Sequence, residues 1–118
     1  MGLDMYLYQK ETHEVAYWRK ANAIHGWIIN AAGIADDGTP VHLNKRLVIQ
    51  LRDTCADVLR VGTTDYAEEM LPPTSGFFFG SSEVDKWYWD NIKETVTKLT
   101  EIIDQSVEDQ EFEYYASW

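Results

Sequence analysis

At about 100° per residue, a helix through residues 17–27 would set Trp18, Asn22 and His25 on one face, with Arg19 beside them. An indole, a carboxamide, an imidazole and a guanidinium so grouped could stack on and hydrogen-bond to a planar anionic ligand such as a nucleotide. The same side chains serve equally as hydrogen-bonded polar groups of a core, with Arg19 paired to an acid of its own domain. A second grouping, Ser75, Gly76, Gly80 and Ser81, leads towards a helix N-terminus, where backbone N–H groups bind phosphate readily. Glu83 and Asp85 fall in the first turn of that helix, already use its dipole and would repel a phosphate. A capped turn is the plainer reading there, and the chain has neither a phosphate loop nor a dinucleotide fingerprint.

Other chemistries find less support. His13, His25 and His42 lack metal-ligand spacing, and Cys55 falls within an apolar helical pattern, so neither a metal nor a thiol nucleophile is expected. Ser75, Ser81 and Ser82 show no nucleophile-elbow pattern. Asp4 with Asp90 is one conceivable acid–base pair, but nothing in the spacing selects it. No reaction can be named, and no cofactor is expected.

The charge distribution is more informative. Residues 1–60 carry seven basic and seven acidic residues, whereas residues 61–118 carry thirteen acids against Lys86, Lys93 and Lys98, and so hold the whole net charge of −10. Such a field repels nucleic acids and anionic membranes and attracts a basic protein surface. Two groups stand out: Asp65, Glu68 and Glu69, and then Glu108, Asp109, Glu111 and Glu113. They can be read as an ordinary solvated surface, or as a face that imitates nucleic acid by setting carboxylates where phosphates would stand. Trp87 and Tyr115 are the aromatic anchors such a face would use.

These residues need a scaffold. A chain of 118 residues that is 45% hydrophobic and 14% aromatic predicts one folded domain over 1–118. No apolar run is long enough to cross a bilayer, and the start lacks the regions of a secretory signal. Gly2 suggests myristoylation, but Tyr6 stands where that motif takes Ser or Thr. One cysteine excludes an internal disulfide and suits a reducing compartment, so a soluble cytoplasmic protein is expected.

Leu3, Met5 and Leu7 alternate with Asp4, Tyr6 and Tyr8, which predicts a strand over 3–8. The last eight residues alternate in the same way. Two such strands at opposite ends of the chain should share a sheet. Helical periodicity predicts helices over about 14–32, 45–61 and 83–106. The second is capped by Asn44 and ended by Gly62, and the third opens with Ser82 three residues before Asp85. Phe77, Phe78 and Phe79 between glycines predict a short central strand or buried loop. The expected class is α+β, a small sheet packed against about three helices.

Three stretches, Met1-Gly2-Leu3-Asp4-Met5-Tyr6-Leu7, Tyr17-Trp18-Arg19-Lys20-Ala21-Asn22-Ala23-Ile24-His25-Gly26-Trp27 and Ser75-Gly76-Phe77-Phe78-Phe79-Gly80-Ser81, resemble a family of small proteins carried by tailed phages and prophages. The segment 34–43 and Val84 depart from that pattern. The family has no established activity, so the resemblance implies only a setting, that of a phage accessory protein in a bacterial cytoplasm. Two functions are then expected. The first is stoichiometric binding through the acidic face to a basic surface of a host factor, such as an antiviral defence protein, without direct contact to nucleic acid or membrane. The second is binding of a small molecule or nucleotide signal by Trp18, Arg19, Asn22, His25 and the Gly76–Gly80 loop.

Overall fold

The computed structural model of the chain describes residues 3–9, 13–19, 21–33, 40–73 and 83–117. The α+β expectation holds: four antiparallel strands form a sheet of order β2-β1-β4-β3, with helices on one side. Strand β1 (Asp4–Gln9) buries Met5 and Leu7 and turns Tyr6 and Tyr8 the other way, as the alternation predicts. Strand β4 (Glu111–Ser117) does the same with Phe112, Tyr114 and Ala116 inside. The two terminal strands pair directly, Met5 opposite Ala116 and Leu7 opposite Tyr114.

The expected helix over 14–32 is divided. Residues His13–Arg19 form strand β2, and helix α1 covers only Asn22–Ala32. Val15, Tyr17 and Trp18 suit a pleated surface at least as well as a helix, and β1 offers them a hydrogen-bonding edge. Leu7 faces Ala16 and Tyr8 faces Glu14, so Val15 is the extra residue of a bulge. The chain then changes direction at Ala21, which caps α1 without a side-chain hydrogen bond. Gly33, at φ 68°, closes α1 in the left-handed conformation, with its N–H donating to the Ile29 carbonyl at 3.0 Å.

Strand β3 (Val41–Asn44) is only four residues long and leads straight into α2 (Lys45–Val61). Asn44 Oδ1 accepts from the Leu47 N–H at 2.9 Å, and Gly62, at φ 72°, ends the helix, both as expected. Helix α3 (Thr64–Met70) has no counterpart in the sequence reading; Thr63 caps it. Helix α4 (Lys86–Gln105) begins later than expected, with Asp85 as its cap, accepting from the Tyr88 N–H at 3.0 Å. Ser82 and the Phe77–Phe79 segment lie outside the described residues.

Helices α2 and α4 form the main helical pair. Val48, Leu51, Cys55 and Val58 of α2 recur at intervals of three and four, as do Tyr88, Ile92, Thr95, Leu99 and Ile102 of α4. These stripes and the inner face of the sheet (Met5, Leu7, Trp18, Leu43, Phe112, Tyr114) make one core. Burying a Leu, Ile or Phe side chain contributes about 1.5–3 kcal/mol, so this shared core is what keeps a sheet of such short strands together. No described helix is long and apolar enough to cross a membrane.

Candidate functional site

The helices cover one face of the sheet, and among the described residues no helix packs on the other. Because side chains alternate along each strand, the residues opposite the core are fixed by register: Tyr17 pairs with Tyr6, and Tyr6 pairs with Tyr115. Three tyrosines therefore stand in a row across β2, β1 and β4. Their ring centroids are 5.3 Å apart (Tyr6 to Tyr17) and 6.2 Å apart (Tyr6 to Tyr115), and Tyr8 stacks 6.3 Å from Tyr6 along β1. Tyr17 and Tyr115 remain 39% and 38% exposed, a large aromatic area for the outside of a small protein.

Carboxylates border this row. The Tyr17 hydroxyl donates to Asp4 Oδ1 at 2.7 Å. Glu113 is exposed on β4, in register with Tyr8 on one side and His42 on the other. His42 Nε2 lies 3.1 Å from Glu111 Oε1. Glu108 and Asp109 are exposed in the turn that leads into β4, closed by a 3.2 Å bond from the Gln110 N–H to the Val107 carbonyl. Phenol faces and carboxylates so arranged suit cations: the rings offer a negative π face, and the acids offer charge-assisted hydrogen bonds.

The acidic residues do not all meet here. Asp65, Glu68 and Glu69 are exposed on α3, which packs on α2 in the helical layer, whereas Glu111, Glu113 and Tyr115 belong to β4. Trp87 is 72% exposed on the first turn of α4 and is no part of the sheet. Asp4, Tyr6, Tyr8 and Tyr17 were not among the expected site residues. The signal was present for three of them, since the alternation in 3–8 puts Asp4, Tyr6 and Tyr8 on one side. Tyr17 fits the helical periodicity of 14–32 as well as a strand, so its place on the sheet is not legible from sequence.

The expected ligand-binding face of Trp18, Arg19, Asn22 and His25 does not form on a helix. Trp18 and Arg19 are in β2, and Asn22 and His25 in α1. Trp18, Asn22 and His25 are buried, at 3%, 6% and 1% exposure. Trp18 Nε1 donates to Thr95 Oγ1 at 2.8 Å, and His25 Nδ1 lies 2.6 Å from the Tyr114 hydroxyl. They are hydrogen-bonded core polars, because a buried polar group without a partner would cost about 1–3 kcal/mol. Ser75, Gly76, Gly80 and Ser81 lie outside the described residues.

Cys55 is fully buried, and burial pushes its thiol up to about 12; the adjoining Tyr88 phenol is raised as well, by burial first and then by Cys55. Neither suits nucleophilic chemistry near neutral pH. A groove of about 330 Å³ runs between α1 and the end of α3, lined by Trp27, Asn30, Met70 and Pro72 among others, with no charged side chain among its described lining residues. Among the described residues, no three His, Cys, Asp or Glu side chains converge as metal ligands. No family model matches the chain, and no curated protein or solved structure matches it significantly.

Proposed function

We propose that this protein works by stoichiometric binding and that the outer face of its sheet docks on a basic protein surface. The observation that carries the reading is the tyrosine row Tyr17–Tyr6–Tyr115, held in register across three strands and bordered by Asp4 and Glu113. Tyrosine supplies contact area at low entropic cost, and a net charge of −10 draws a cationic partner while opposing self-association and nucleic acid. The resemblance to phage-borne proteins makes a bacterial host factor, of the antiviral defence kind, the partner of this reading. Glu108 and Asp109 at the entrance of β4 steer the encounter. Of the residues of the nucleotide-binding reading, Trp18, Asn22 and His25 are buried.

The test is capture from a bacterial extract at low and high salt, with the native protein beside a variant carrying Glu108→Lys, Asp109→Lys, Glu111→Lys and Glu113→Lys. A basic protein held by the native chain at low salt, released at high salt and not captured by the variant is the expected result. An acidic or neutral protein held equally by both would overturn the reading.

A further inference from the structure

We infer that the outer sheet face recognises arginine in particular, as side chains projecting from an extended basic segment of the partner. This rests on the docking reading above and specifies its chemistry. Tyr6 is the centre of the site, with Tyr17 and Tyr115 on its two flanks and Tyr8 along its own strand. The centroid steps of 5.3 and 6.2 Å compare with about 6.6–6.8 Å between alternate residues of an extended chain. Arginines at every second position of such a segment would therefore meet successive rings.

The choice between the two basic side chains follows from their hydration. A guanidinium is planar and weakly hydrated, so it lies flat on a phenol face and still directs its fork of N–H donors at a carboxylate. Glu113, exposed beside Tyr8 in register, is placed to accept such a fork at the rim of the row. An ammonium group is a strongly hydrated point charge and gains less from a ring that stays partly wet. A second copy of this chain is a poor occupant, because it would bring the same carboxylates and the same net charge to the face.

The experiment compares two short peptides of equal length and charge, one with arginine and one with lysine at alternate positions, titrated into the full chain at low salt. Binding is read by fluorescence anisotropy of the labelled peptide. The arginine peptide should bind about tenfold more tightly, the scale expected of partly desolvated cation–π contacts. Tyr6→Phe, which keeps the ring, should retain that preference, and Tyr6→Leu should erase it. Glu113→Gln should weaken both peptides. If Tyr6→Leu melts early, Tyr115→Leu on the exposed end of the row reads the same property. Equal binding of the two peptides, unaltered by the leucine variants, would overturn the arginine inference and leave the basic-partner reading standing. Binding of neither peptide at low salt would overturn both.

Discussion

The indole N–H of Trp18 donates a 2.8 Å hydrogen bond to Thr95 Oγ1, joining a strand at the edge of the sheet to a helix 77 residues further along the chain. The same hydroxyl donates to the Asn91 carbonyl at 2.7 Å, so its proton is committed and its lone pair receives the indole. Both side chains are buried. Thr95→Val keeps the shape and removes the acceptor. It should lower stability by about 1–3 kcal/mol, the cost of a buried donor left without a partner. Urea unfolding checks this, and an unchanged midpoint would mean that the bond contributes nothing.

Lys98 makes a second attachment of the same strand. Its ammonium donates to the Tyr17 carbonyl at 2.6 Å, pairs with Glu94 at 2.5 Å and lies 5.8 Å from the Trp18 ring centroid. Lys98 thus ties α4 to the backbone of β2, the outermost strand of the sheet among the described residues, where another chain could pair. Lys98→Ala should speed hydrogen exchange across 13–19 and raise the fraction of dimer at high protein concentration. Exchange and sedimentation measurements on the variant report the two effects separately.

Inside the core, the Tyr114 hydroxyl and His25 Nδ1 bridge β4 and α1 at 2.6 Å. Tyr114→Phe should cost about 1–2 kcal/mol of unfolding free energy with little change in the far-ultraviolet circular dichroism spectrum. It should leave peptide binding on the outer face intact, because the two faces of β4 are separate surfaces. A loss of binding in a folded Tyr114→Phe protein would contradict that separation.

Cys55 predicts an alkaline pH dependence. Its thiol is raised from an ordinary value of 9.0 to about 12 by burial, so above pH 9 the unfolded chain gives up a proton that the native state keeps. The unfolded state then binds fewer protons, and stability must fall as pH rises. The full contribution is present below about pH 9 and is lost through about pH 12, with a limiting slope of about 1.4 kcal/mol per pH unit. Tyr88 acts in the same direction from its ordinary value of 10.0. Urea unfolding between about pH 8 and pH 11 should give a shallower slope for Cys55→Ala than for the native chain. Identical slopes would mean that the thiol is not held protonated.

Capping supplies a prediction that the sequence alone supports. Asn44 Oδ1 closes the first turn of α2, and Asn44→Ala should cost about 1 kcal/mol. Gly62→Ala, at φ 72°, should cost a similar amount through the left-handed backbone. Thermal unfolding of the two variants measures both.

Where local chemistry was sufficient, the sequence determined the outcome by itself. Asn44 and Gly62 bound α2 because a side-chain acceptor and a left-handed residue act within one turn of the helix they limit. The alternation of residues 3–8 and 111–117 needed no partner to separate Met5 and Phe112 from Tyr6 and Tyr115. Only the tertiary structure decided residues 13–19, whose apolar spacing suits a period of two or of 3.6 and which became a strand because β1 lay open to pair. The four residues of β3 and the seven of α3 are too short for periodicity to reveal, and both depend on contacts with β4 and α2. The same holds for the tyrosine row. Tyr17, Tyr6 and Tyr115 are up to 109 positions apart in sequence, and strand register, a property of the assembled sheet, is what brings their rings together.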